Sequence, residues 1–425
     1  MTTTLGRGLA PSREQLQNGV VLIAKSSRTT PAVTIHASFE AGIVFDPPSR
    51  PGVAHLVSRM LDRGTTSRSA EQVADALDTR GVSLGVNVNR HVISLVCNCL
   101  AEDFETILAL IGDVAMNPTF PDNELATRRA EAVTLIRQDE DSPANMAMEG
   151  LLRSLYPAHP YGTRPRGSVE SVEQISRADL IEFHSERFAP GTLSVVMVGD
   201  VEPARAIAAA TRVFGAWKKP VPPVVPLPAV STPSARQRLV LPMMNKAQAD
   251  IAYGFVTILR ADPAYYAFNL MNNILGQYSL GGRLGDSIRE RQGMAYYCFS
   301  ALDANVVRGP LTIRAGVNPA NVDRAVASID EEIGRMAAGG PTDKELAESK
   351  QYLIGSMPRT LETNQGIANF LQTAEFFKLG LDYDLRLPGL LQAVNRDAVH
   401  EAARRVLDPS RAAVVIAGPY DPPAQ

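Results

Sequence analysis

Two stretches of this chain recur at one fixed separation. ISRADL at 175–180 is answered by VNRDAV at 394–399, and VVMVG at 195–199 by VVIAG at 414–418, each 219 residues on. A third echo, NELA at 123–126 against KELA at 344–347, has nearly the same spacing. A chance likeness between apolar strands could give one of these matches. It would not keep the preceding helical segment in register, so the spacing argues for an internal duplication. Between the two copies runs AWKKPVPPVVPLPAVSTPSARQ, with prolines at 220, 222, 223, 226, 228 and 233. Such a stretch favours extended polyproline II and makes a semi-rigid spacer. The chain of 425 residues exceeds one ordinary core. The reading is a first half over 1–218, a linker over 219–238 and a second half over 239–425.

Each half mixes helices with hairpin-connected strands, which is α+β organisation with an antiparallel-rich sheet per half. NGVVLIAKS (18–26) is a turn signal followed by an apolar run, and AVTIHASF (32–39) alternates. Val33, Ile35, Ala37 and Phe39 share one side of that strand, and Thr34, His36 and Ser38 the other. Ser69 is placed to cap the helix SAEQVADALDTRG, which Gly81 closes. An amphipathic helix is expected over 102–116, stopped by Asn117-Pro118. Another runs from about Pro121 through ELATRRAEAVTLIRQDEDSP, and a third spans 176–188.

Net charge is −3, so there is no electrostatic footprint for nucleic acid. No apolar run approaches the roughly 20 residues of a membrane span. The start, MTTTLGRGLAPSREQLQNG, lacks the flanked apolar core of a secretory signal. Cys97, Cys99 and Cys298 form no CxxC pair and read as buried core residues. With no disulfide framework, a reducing, cytoplasmic setting is favoured, and a periplasmic one would need a leader already removed.

The stretch 52–65, GVAHLVSRMLDRGT, puts His55 and Arg59 one helical turn apart on one face, with Ser58 beside them. Arginine has no acceptor and stays protonated, so it cannot ligate a metal. A serine hydroxyl is no base near neutral pH without an activating partner. The string resembles the zinc helix of the pitrilysin/insulinase-type peptidases, whose inverted motif is HxxEH. In that motif two histidines bind zinc and the glutamate acts on the metal-bound water. The resemblance puts Ser58 at the glutamate and Arg59 at the second histidine. It also implies a Glu-Glu pair on the helix that follows Pro121, one member being the third ligand. Counted back from EDSP at 140–143, the pair falls on Thr134 and Leu135. Glu131 and Glu140 lie nearby, out of register, on what reads as a solvated helix face. His159, in the loop HPYGTRPRGS, has no second donor at helical spacing.

The second half has its own signal, GGRLGDSIRERQGMAYYCFS at 281–300. A helix is expected from about Arg283 to Arg291, ended by Gly293 as Gly81 ends its counterpart, with a strand from Ala295. Arg289 and Tyr296 flank this corner and resemble the R-x6-Y element of the same family. There the pair holds the substrate main chain near the scissile bond. A planar guanidinium fork and a directional phenol O–H are suited to an oxygen gaining negative charge.

The resemblance covers about 19–418 and includes heterodimeric members in which only one subunit carries zinc. It implies a clamshell of two α+β halves and a non-catalytic subunit with no cofactor of its own. Zinc and HxxEH would reside in a homologous partner chain. The substrate would be a short or unfolded peptide held as an added edge strand, with Arg289 and Tyr296 contributed to the partner's site. Two alternatives stay open. One is a structural scaffold subunit of a larger complex with no part in proteolysis. The other is a hydrolase with relocated ligands, His55 with Glu131 or Glu140.

Overall fold

The structure, a computed structural model, describes residues 8–277 and 282–421. The first seven residues of the starting segment and Gly281 of the GGRL string lie outside the described residues. In chain order the strands are β1 (Ser12–Gln15), β2 (Val21–Ser26), β3 (Ala32–Phe39), β4 (Leu84–Val88), β5 (Ile93–Leu100) and β6 (Leu193–Gly199). They continue as β7 (Gln237–Pro242), β8 (Ala249–Val256), β9 (Ala295–Leu302), β10 (Pro310–Val317) and β11 (Ala413–Gly418). The helices are α1 (Val53–Met60), α2 (Ala70–Asp78), α3 (Phe104–Met116), α4 (Asp122–Glu140), α5 (Pro143–Leu155), α6 (Val169–Gln174) and α7 (Arg177–Arg187). After them come α8 (Pro203–Phe214), α9 (Tyr265–Asn272), α10 (Val322–Gly339), α11 (Asp343–Thr360), α12 (Asn364–Phe376), α13 (Tyr383–Gln392) and α14 (Arg396–Val406).

The duplication is visible in the sheets. The first has the order β1-β2-β6-β3-β5-β4, the second β7-β11-β8-β10-β9. Setting β1 aside, adding five to each strand number converts one order into the other. The parallel pair β2–β6 corresponds to the parallel pair β7–β11, and the remaining neighbours in both sheets are antiparallel. The two echoing strands of the sequence, β6 and β11, therefore hold the same place in their sheets. The fold is α+β with two mixed sheets, as the patterning predicts.

The compact units are not the two linear halves. One is formed by residues up to 137, 164–226 and 357–385, the other by 138–163, 227–356 and the chain from 386 on. The helix α5 of the first half and the segment around α12 of the second each join the other unit. Packing explains the exchange. α5 lies on β8 and β11 and buries Ala147, Gly150, Leu151 and Leu155 there. α12 lies on β6 and β3, where Ile367, Ala368 and Leu371 cluster with Val21, Ile23, Val196 and Val198. Burying each such aliphatic side chain contributes about 1.5–3 kcal/mol, so a helix goes where its apolar stripe is covered.

In the first unit Val33, Ile35, Ala37 and Phe39 of β3 are fully buried in one core with α1 and α3. The opposite side of β3 is also covered, with Thr34 0%, His36 8% and Ser38 2% exposed. These three side chains are polar, and their alternation with apolar ones predicts a solvent-facing side. That side lies under α12, whose Asn369 faces the buried His36 ring. Residues 217–233, which hold the prolines, form neither helix nor strand, and Val224 there is 93% exposed.

Candidate functional site

The helix α1 begins at Gly52, whose φ of +101° is the left-handed conformation that glycine adopts without strain. The Asp46 carboxylate accepts from the Gly52 and Ala54 backbone N–H groups, each at 2.7 Å. It satisfies donors that a helix start leaves open. Burial pushes the Asp46 carboxyl up to about 7, against the pull of those two hydrogen bonds.

His55 is half-buried and its imidazole is pushed down to about 4, by burial first and then by the charges of Arg166 and Arg59. It is therefore a neutral ring at pH 7. Ser58 is 2% exposed and donates its hydroxyl to the His55 carbonyl of its own helix at 2.7 Å. Arg59 is exposed, with its Nη2 3.8 Å from Glu131 Oε2 on α4. Arg128 holds the other Glu131 oxygen at 2.5 Å and lies 3.6 Å from Glu124.

The carboxylate facing α1 is thus Glu131, not a group at 134 or 135. Thr134 is exposed and bonds back to the Ala130 carbonyl at 2.9 Å. Leu135 is a surface side chain. Glu140 ends α4. The signal that could have found Glu131 is its placement seven residues after Glu124, which aligns the two on one helical side. His159 is buried in the other unit, its Nδ1 accepting from the Tyr161 N–H at 3.1 Å. Among the described residues, no three His, Cys, Asp or Glu side chains form a metal-holding group.

Arg289 and Tyr296 lie in the second unit, on two consecutive elements. The segment Gly285–Arg291, expected as an ordinary helix, is π-helical, as is Asn273–Gln277. Stretches of π-helix are rare overall and frequent at functional positions. Gly276 of the earlier segment is closely approached on two sides: a Cβ on Gly282, just ahead of the later segment, would stand 2.8 Å from Gly276 Cα, and one on Gly276 would stand 2.9 Å from the Ser300 nitrogen of β9. Only glycines allow that approach.

The corner is fastened from several sides. Arg283 grips Glu345 of α11 with two nitrogens, at 2.6 and 2.8 Å, and the Gly340 carbonyl at 2.9 Å. Burial raises the Glu345 carboxyl, but hydrogen bonds from Arg283 and Thr342 outweigh it and bring it down to about 2. Arg291 lies 2.9 Å from Asp286 and 3.7 Å from the buried Glu332 of α10. Gln292 bonds Ser287 and Ser328.

Gly293 turns the chain with φ of +59°, matching Gly81 at +63° after α2. From that turn β9 starts, as expected. It is the edge of its sheet. Tyr296 stands out from it, 82% exposed, the most exposed aromatic side chain described. Its neighbour Tyr297 differs, since its hydroxyl is committed to Asp250. Arg289 is 40% exposed and 3.5 Å from the adjoining Glu290. The geometry presents one guanidinium and one phenol to solvent on a braced corner beside an open strand edge. Such an arrangement can donate hydrogen bonds to an extended main chain.

Comparison with known proteins gives a consistent picture. Residues 21–165 match the family described as Insulinase (Peptidase family M16), and residues 174–353 the one described as Peptidase M16 inactive domain. An uncharacterized zinc protease of Mycobacterium bovis is 26% identical over 97% of this chain and 94% of its own length. A non-peptidase homolog of Helicobacter pylori is 23% identical over 86% and 83%. The solved structure of a peptidase M16 inactive domain from Pseudomonas fluorescens superposes with a TM-score of 0.91 at 26% identity, covering 98% of this chain and all of that one.

Proposed function

The chain belongs to the M16, insulinase-type peptidase family, and on that premise we propose that it is the non-catalytic subunit of a heterodimeric zinc metallopeptidase. A homologous partner chain carries HxxEH and zinc, which supplies the Lewis acid and the activated water. This chain binds no stoichiometric zinc and hydrolyses nothing alone. It holds a short or unfolded peptide along an open sheet edge, and Arg289 and Tyr296 donate to a substrate carbonyl oxygen as it gains charge.

The observation that carries this reading is Tyr296. An aromatic side chain left 82% exposed on an edge strand has no use in the fold of its own unit. The chemistry of Ser58 and Arg59, with neither base nor ligand, supports the division of labour. No helix among the described residues is long and apolar enough to cross a membrane. Three free, buried cysteines accord with a reducing, cytoplasmic setting.

The test is activity reconstituted from two chains. The purified chain alone should give no peptide hydrolysis, and the pair should be active. Tyr296→Phe in the pair should lower kcat by about 10²-fold with little change in peptide affinity. Hydrolysis by the isolated chain would overturn the proposal. A scaffold subunit is the second reading, favoured by the relative named a non-peptidase homolog. On that reading, replacing both Arg289 and Tyr296 leaves the function of the assembly intact.

A further inference from the structure

The residues around α1 do not fit a catalytic zinc. His55 alone offers a ring lone pair, the Ser58 hydroxyl is spent on its own helix, and Arg59 brings a permanent cation. One carboxylate nevertheless still faces this helix. Glu131 has one oxygen 3.8 Å from Arg59 and the other 2.5 Å from Arg128. It is thus provided with counter-charge by the chain itself.

We propose that Arg59 is a built-in substitute for a metal ion. Its guanidinium, on the α1 side of Glu131 and opposite Arg128, supplies the positive charge that the second carboxylate oxygen would otherwise draw from a divalent cation, and repels any such cation from the space between α1 and α4. The planar fork of a guanidinium suits a carboxylate, and its charge does not titrate away. The Arg59 and Glu131 side chains are 45% and 42% exposed. An ion pair that open to solvent adds little stability. The role of Arg59 is therefore exclusion of metal rather than strength of the fold.

That separation gives the test, which reads metal uptake by the folded full chain alone. It is indifferent to whether a peptidase partner exists. Zinc binding is followed by equilibrium dialysis, and cobalt binding by visible absorption. The unaltered chain and Arg59→Lys should take up neither metal. Arg59→Ala should bind zinc weakly through His55 and Glu131, and adding Glu131→Gln should abolish that binding. The double substitution Ser58→Glu with Arg59→His should hold about one equivalent, with a tetrahedral cobalt spectrum. Adding Glu131→Gln to that pair should weaken binding by about tenfold or more.

Arg59→Ala changes only a half-exposed side chain, so its thermal midpoint should move by no more than about 2–4 °C. Stoichiometric zinc in the unaltered chain would overturn the proposal. So would an Arg59→Ala chain with native circular dichroism that stays as metal-free as the original.

Discussion

At the scale of single residues, backbone sign and burial decide most of what a substitution does. A Cβ on Gly81 or Gly293 would meet nothing within 4 Å, yet both residues have φ near +60°. Glycine is needed there for its conformation and not for space. Replacing either by Ala should therefore cost about 1 kcal/mol, read from the urea midpoint, and Asn should cost less. Both turns were legible in sequence, because a glycine that ends an apolar-periodic run is a local signal. Burial pushes the Cys97, Cys99 and Cys298 thiols up to about 12, with the neighbouring Cys99 adding to the first and Asp103 to the second. A thiol, unlike a thiolate, is a poor nucleophile. In a stopped-flow assay with a thiol reagent, all three should react only at the rate of unfolding. Rapid modification of the native chain would contradict their placement. Glu131 was legible as a candidate on its helix, but its pairing with Arg59 was not, since the two lie 72 positions apart and no local pattern points across that gap.

At the scale of elements, the exchange of α5 and α12 between units depends on close contact. A Cβ on Gly150 of α5 would stand 2.9 Å from Val415 Cγ1 of β11. Valine is stiff at χ1 and cannot swing its methyl aside. Gly150→Ala should thus destabilise by about 1–3 kcal/mol, although alanine is the better helix former. Val415→Ala in the same chain should recover part of that loss, and a double-mutant cycle by chemical denaturation measures the coupling. If the two effects simply add, α5 does not sit on β11 as described. The cap at Ser69 was readable from its place before an apolar-periodic run, whereas the capping box that starts α7 at Ser176 was passed over. The π-helical segments were not readable. The widening around Gly285–Arg291 accompanies the contact of Gly276 with Gly282, which belongs to two separate turns of chain.

At the scale of the whole molecule, the acid response should be uneven. Burial pushes His36, His55 and His184 down to about 4, and all three lie in the first unit. Their unfolded-state value is about 6.5, so between about pH 6.5 and 4 the unfolded chain binds more protons. Stability is full above that window and falls through it as pH drops. Asp46 works the other way: its raised carboxyl gains a proton in the fold below about 7 and offsets one histidine. The net loss should be on the order of a few kcal/mol, seen as hydrogen exchange rising first in the first unit. His36→Leu, which removes a buried titratable ring, should flatten the acid response, read as a smaller loss of stability between about pH 6.5 and 4.

The sequence by itself determined the duplication, the class of the elements, the proline-rich stretch between the two copies and the departure from HxxEH at Ser58 and Arg59. Each of these follows from composition, from a period or from the chemistry of one side chain. Tertiary structure alone decided which sheet α5 and α12 cover, which carboxylate meets Arg59, and that Tyr296 stands exposed while Tyr297 is tied to Asp250. Those outcomes depend on which apolar surface is nearest once the chain has folded back. Burial and Coulomb attraction act through space, with no regard for separation along the chain.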